Sequence, residues 1–138
     1  MSFAATGDHL ILYIETSAAA KLLVEEPASS RLAARLDGAV EVEDVLLSSM
    51  LLETELRRLA VRVELTQVAV TRLLERFDLV ETDRSLYREA GLLPGRHLRS
   101  LDALHLAAAL RVGADVMVTY DHRQADAAES AGLPILAP

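Results

Sequence analysis

Leu10-Ile11-Leu12-Tyr13-Ile14-Glu15-Thr16-Ser17 carries the reading of this fold. The apolar run predicts a first strand from about His9 to Ile14. Ser17 is positioned as the N-cap of a helix that reaches Glu25 and is stopped by Pro27. An acid, Glu15, stands at the join. The join recurs near the other end of the chain, where Val116-Met117-Val118-Thr119-Tyr120 reads as a strand ending on Asp121. A helix from about Arg123 to Ala131, closed by Gly132, follows it.

Between these joins the pattern keeps alternating. A helix from Ser29 to Leu36 is expected to end at Asp37-Gly38, and Val45 to Leu47 forms a short strand. Helices follow over Met50–Val63, after Ser48-Ser49, and over Thr66–Phe77, with Thr66 as cap. Leu79-Val80 is a brief strand before a helix from Arg84 to Leu92. Pro94-Gly95 breaks the chain, Ser100 caps a helix to Val112 closed by Gly113, and Leu133 to Leu136 is a last strand. Short apolar strands alternating with helices imply an α/β fold: three layers, α/β/α, with a short, mainly parallel central sheet. Residues 1–8 read as a short leader and 9–138 as one domain.

Composition narrows the classes. The chain has 138 residues, 51% apolar and 25% charged, with no cysteine, so disulfides and thiolate zinc sites are excluded and a cytoplasmic location fits. No apolar run approaches the ~18 residues of a membrane span. The formal charge of −7 argues against long non-specific nucleic-acid contacts but leaves room for an enzyme gripping a short strand segment. Lys21 is the sole lysine among 14 bases. Arginine suits phosphate, although codon bias produces the same count.

Four acids share one kind of setting. Glu15 and Asp121 end strands, Asp102 lies in the first turn after Ser100, and Glu55 lies in the opening turns of the third helix. In an open α/β sheet such positions converge on the carboxyl edge of the strands. Each also has an ordinary reading: Glu15 as a charge where a strand emerges, Asp102 as a helix-dipole partner, Asp121 as an N-cap, and Glu55 as an ion-pair partner of Arg58. Glu55 lies beside the stripe Leu52, Leu56, Leu59, Ala60, Val63, where a carboxylate requires a partner. Glu53 instead precedes Arg57 by four residues and reads as a surface pair. The helix after Asp102 is apolar on nearly every face, so Asp102 stands at the mouth of a buried element. Asp126 is a weaker candidate.

Together the four would repel one another unless a cation joined them. Oxygen-only donors suit Mg²⁺ or Mn²⁺, and such ions act on phosphodiesters. Thr16 and Ser17 supply hydroxyls beside Glu15. Arg96 and Arg99 flank the break ahead of Asp102 as candidate phosphate contacts, or as a solvated loop. His105 shares a helix face with Asp102 and reads first as a satisfied structural histidine. Five aromatics give base stacking little support, and Tyr120, beside Asp121, is the one to test for it. A phosphorylation-dependent receiver domain also puts acids at strand ends, but it needs a lysine after a late strand, and Lys21 lies in the first helix.

These segments together resemble a PIN-domain ribonuclease of the VapC toxin type. The resemblance rests on Leu12-Tyr13-Ile14-Glu15-Thr16-Ser17-Ala18 with Lys21-Leu22-Leu23, on Glu55, on Arg99-Ser100-Leu101-Asp102-Ala103-Leu104-His105-Leu106-Ala107, and on Val118-Thr119-Tyr120-Asp121 with Ala127-Ala128. It implies a Mg²⁺- or Mn²⁺-dependent endoribonuclease with Glu15, Glu55, Asp102 and Asp121 as metal-binding acids and Thr16, Ser17 and Thr119 as supporting hydroxyls. It also implies a homodimer inhibited by a VapB-type antitoxin. Glu15 departs from the family's motif, which has aspartate there. The extra methylene opens an alternative: a catalytically weakened PIN domain acting mainly as an antitoxin-binding partner.

Overall fold

A computed structural model describes residues 9–138; the expected leader, residues 1–8, lies outside the described residues. Strands β1 (Ile11–Ile14), β2 (Val45–Ser49), β3 (Asp78–Val80), β4 (Val116–Val118) and β5 (Ile135–Leu136) form one sheet in the order β3-β2-β1-β4-β5. Every pairing is parallel. The helices are α1 (Thr16–Leu23), α2 (Ser29–Glu41), α3 (Leu51–Val63), α4 (Gln67–Leu74), α5 (Arg84–Gly91), α6 (Ser100–Arg111) and α7 (His122–Ser130).

Strand periodicity builds the layers. Successive side chains of a strand point to opposite faces. Leu12, Ile14, Leu46 and Val118 enter one core, with Leu32 and Leu36 of α2, Leu52 and Leu56 of α3 and Val70 of α4. Tyr13, Leu47 and Met117 enter the other, with Leu86 of α5, Leu106 and Ala109 of α6 and Ala128 of α7. Burial on both faces is why these strands read as continuous apolar runs rather than alternating ones. The sequence-based three-layer α/β/α expectation is the observed architecture.

Helix α2 and strand β2 run past the local signals, whereas α1 stops at Leu23 rather than Glu25 and α4 at Leu74 rather than Phe77. Helix α2 passes through Asp37-Gly38 to Glu41. Gly38 is exposed, and continuing the helix buries Ala39 on the same face as Leu32 and Leu36, which outweighs a glycine penalty of ~1 kcal/mol. The turn comes later, at Glu43, with φ +63°. Ser48 and Ser49 are buried at the end of β2 rather than at a helix start. Thr66 does cap α4, its hydroxyl accepting from the Ala69 N–H at 3.2 Å.

The chain leaves β1 to build β2 and β3 on one side, then returns to place β4 on the other. The direction of winding therefore reverses at β1, beside β4. Ligands of open parallel sheets bind at such a switch point, outside the carboxyl ends of the strands.

Candidate functional site

Glu15 follows the last residue of β1 and its N–H bonds Val118 O at 3.0 Å. It, and not Ser17, is the N-cap of α1. Its Oε1 accepts from the Ser17 N–H at 3.1 Å, the Ser17 hydroxyl at 2.5 Å and the Thr119 hydroxyl at 2.7 Å. Ser17 Oγ also accepts from the Tyr120 N–H at 2.8 Å, stitching the head of α1 to the end of β4. Glu15 is only 5% exposed. Three donors on one oxygen are what allows a carboxylate to sit so deep.

Glu55 is reached from two other helices. Thr16, at the head of α1, donates to its Oε1 at 2.7 Å, and His105 Nε2 of α6 lies 2.6 Å from the same oxygen. His105 is buried, and its Nδ1 lies 2.7 Å from the hydroxyl of the buried Tyr13. Burial by itself would raise the Glu55 carboxyl. The hydrogen bond from His105, helped by Thr16, more than offsets this and holds it below the usual glutamate range. The expected partner Arg58 makes no bond to Glu55 among the described residues; it is exposed on α3, while His105 arrives from the interior. Glu53 pairs with Arg57 at 3.0 Å, as the helical spacing required.

Asp102 lies in the first turn of α6. Ser100 is already helical, Arg99 is the N-cap, and no side chain caps this helix. Burial pushes the Asp102 carboxyl up, and the charges of Asp121 and Glu15 push it further. Gln124, fully buried on α7, donates from Nε2 to Asp102 O at 3.1 Å and ties the two helices together. Asp121 caps α7, its Oδ1 accepting from the N–H groups of Arg123 and Gln124. Thr119 Oγ1 accepts from the Asp121 N–H at 3.1 Å.

All four acids line one pocket of about 500 Å³, together with Thr16, Ser17, Arg99, Ser100, Leu101 and Arg123. Three helices, α1, α6 and α7, open onto it with their N-terminal ends. The other expected residues fall elsewhere. Arg96 and Asp126 line a separate cavity of about 420 Å³ between the α5–α6 connection and α7. Gly95, at φ +114°, and a bond from the Leu98 N–H to Gly95 O fold that connection over α7, carrying Arg96 away from the acids. Tyr120 is half-buried against the core, and Lys21 Nζ sits 4.7 Å from its ring centroid, covering one face. Arg123, which the sequence reading missed, lines both cavities.

The donor chemistry suits a hard cation. Glu15, Glu55 and Asp121 each engage one carboxylate oxygen in protein hydrogen bonds, and their second oxygens accept none among the described residues. As placed, no group of three or more acids or histidines among the described residues converges closely enough to hold an ion by itself.

Tyr13 and Gln124 were missed, with no local signal beyond a polar group in an apolar strand or helix, and His105 was read as a satisfied histidine without its partners, Tyr13 and Glu55. A histidine within Ala103–Leu110 needs a polar neighbour. The sequence did not say which.

The profile of the PIN-domain family matches residues 12–130. Ribonuclease VapC35 of Mycobacterium tuberculosis is 40% identical over 134 residues, covering 93% of this chain and 97% of that protein. Among solved structures, the Mycobacterium tuberculosis VapC20, a sarcin-ricin loop cleaving toxin, superposes with a TM-score of 0.71 at 18% identity, over 92% of this chain and 99% of that one. VapBC2 of Rickettsia felis, bound to a DNA fragment from its promoter, gives 0.69 at 15% identity, over 92% and 98% of the two chains. With the acidic pocket at the carboxyl edge of a β3-β2-β1-β4-β5 sheet, these likenesses establish that the chain belongs to the PIN-domain family, among its VapC-type ribonucleases.

Proposed function

We propose that this chain is a Mg²⁺- or Mn²⁺-dependent endoribonuclease toxin that cuts RNA within the strand. The observation carrying the proposal is the convergence of Glu15, Glu55, Asp102 and Asp121 on one pocket. Glu15, Asp102, Asp121 and Glu55 would hold the cation. When bound, it would supply positive charge against the phosphate in the transition state and raise the nucleophilicity of water.

The remaining work falls to the chain. Ser17 and Thr119 hold the Glu15 carboxylate in place by hydrogen bonds, and Thr16 does so for Glu55. Arg99 and Arg123, at the rim, suit the flanking phosphates of a short strand segment. Their number is small, in keeping with the overall charge of −7.

A VapB-type antitoxin is the expected inhibitor, supported by likeness to a chain of a VapBC complex. A homodimer in the cytoplasm, where its RNA would lie, completes the reading. The test adds Mg²⁺ or Mn²⁺ to pure protein with a structured RNA, with Asp102→Asn as the contamination control. Metal-dependent cleavage by the wild type alone is the expected outcome. Equal cleavage by both proteins would overturn the enzyme reading.

One observation favours a second reading, a catalytically weakened PIN domain acting mainly as an antitoxin-binding partner. Glu15 is nearly buried and its Oε1 is committed to three donors. That reading predicts tight antitoxin binding with no cleavage above the Asp102→Asn background.

A further inference from the structure

We propose that His105 and Tyr13 form a positioning device for Glu55, locking the direction in which its carboxylate faces the cation pocket. The proposal rests on the reading of that pocket as a cation site, and it assigns a task to two buried residues that do not line the pocket.

Glu55 has the freedom to miss its target. It projects from the first turns of α3, its side chain is 24% exposed, and three torsions separate its carboxylate from the backbone. The bonds that restrain it all fall on Oε1: Thr16 Oγ1 at 2.7 Å and His105 Nε2 at 2.6 Å. Thr16 sits at a helix head on the pocket wall. His105 differs, being 1% exposed in the second turn of α6.

The imidazole cannot swing. Its far nitrogen is engaged by the Tyr13 hydroxyl at 2.7 Å, and its ring meets the Tyr13 ring edge-on, with centroids 5.8 Å apart and planes at 74°. Tyr13 is itself fully buried in the central strand β1. The donor pattern follows from the chemistry of the partners. A carboxylate only accepts, so Nε2 carries the hydrogen; in the neutral ring Nδ1 then accepts, and the phenol donates to it. The central strand thus fixes the imidazole, the imidazole fixes Oε1, and Oε2 is left for the pocket. This is the logic of outer-shell groups that orient metal ligands. If His105 served only to satisfy the phenol, nothing would require its second nitrogen to end on an acid of the pocket.

The test is Mn²⁺ titration by calorimetry on wild type, His105→Leu and His105→Gln, with near-ultraviolet circular dichroism to confirm native packing. His105→Leu should weaken Mn²⁺ binding ~10–100-fold. His105→Gln, which keeps an N–H donor, should recover much of the loss. A folded His105→Leu that binds Mn²⁺ like the wild type overturns the positioning role while leaving the cation site intact. A wild type that binds no Mn²⁺ overturns both.

Should His105→Leu fail to fold, the wild type itself supplies the decision. Nitrogen-15 spectra should show His105 with its hydrogen on Nε2, and its ring signals should shift on addition of Mg²⁺. A hydrogen held on Nδ1 alone, or signals indifferent to Mg²⁺, overturns the proposal.

Discussion

Glu15 and Glu55 face the same pocket, but the chain secures them in different ways. Glu15 takes two of its three hydrogen bonds from Ser17, two residues along, and the third from Thr119 at the end of the neighbouring strand. Glu55 takes its bonds from α1 and α6, with Tyr13 of β1 standing behind His105. The first clamp forms as soon as β1 joins α1 and pairs with β4. The second exists only when α3, α6 and the sheet are all packed. One acid is therefore held by a strand–helix joint and the other by the core.

The largest expected effect removes a charge that belongs to neither clamp. Asp102→Asn should lower metal-dependent cleavage by more than ~10²-fold, beyond what an outer-shell change causes. It should also raise the melting temperature of the metal-free protein, because Asp102 is held up by burial and by the charges of Asp121 and Glu15. Its carboxyl is raised in the folded state, so its ionisation weakens folding at neutral pH, and that penalty begins to fade as pH reaches the folded value and is gone below the ordinary aspartate value. Mn²⁺ binding should accordingly begin to weaken above the ~3.9 of an ordinary aspartate. Glu55 has the opposite sign. Its folded value is lowered, so its stabilisation is complete above ~4.3 and is lost only at more acid pH. Calorimetric titrations across acid pH would separate the two.

Threonine-to-valine changes probe the clamps directly. Thr16→Val should raise the Mn²⁺ dissociation constant ~10-fold, the lower end of outer-shell effects, with little change in melting temperature. Thr119→Val should do the reverse in emphasis. Thr119 is buried, donates to Glu15 and accepts from the Asp121 N–H, so its loss should cost ~1–3 kcal/mol in a denaturant titration. Equal stability costs for the two variants would erase the distinction drawn between the joints.

Glu15→Asp should produce a smaller change of the opposite sense. Aspartate is among the favoured N-caps, so stability should hold within ~1 kcal/mol. Cleavage should become faster at the same RNA sites, read by mapping cleavage ends beside the wild type. New sites would mean that Glu15 also contributes to recognition. The smallest effect belongs to Glu53→Ala, which removes a surface pair with Arg57 and should cost ~0.3–0.5 kcal/mol with cleavage unchanged.

Much of this was legible before the coordinates. Alternating apolar runs and helix signals specified the α/β layers, and the repeated acid at strand–helix joints pointed to four carboxylates that the structure does bring to one pocket. Helical spacing separated Glu53 from Glu55, and Thr66 was recognisable as a cap. These are properties of a few adjacent residues, decided by backbone periodicity and by which neighbours a turn brings together.

Tertiary structure alone decided the rest. It made Glu15 the cap in place of Ser17, carried α2 through Gly38, turned Arg96 away with the α5–α6 connection, and brought Arg123 to the rim. It also paired Glu55 with His105, 50 positions away, rather than with Arg58 nearby. Two physical reasons account for these: helices and connections run wherever they bury apolar surface, as α2 does with Ala39. A buried polar group must be satisfied by whatever the packed core presents, and sequence distance places no limit on which group that is.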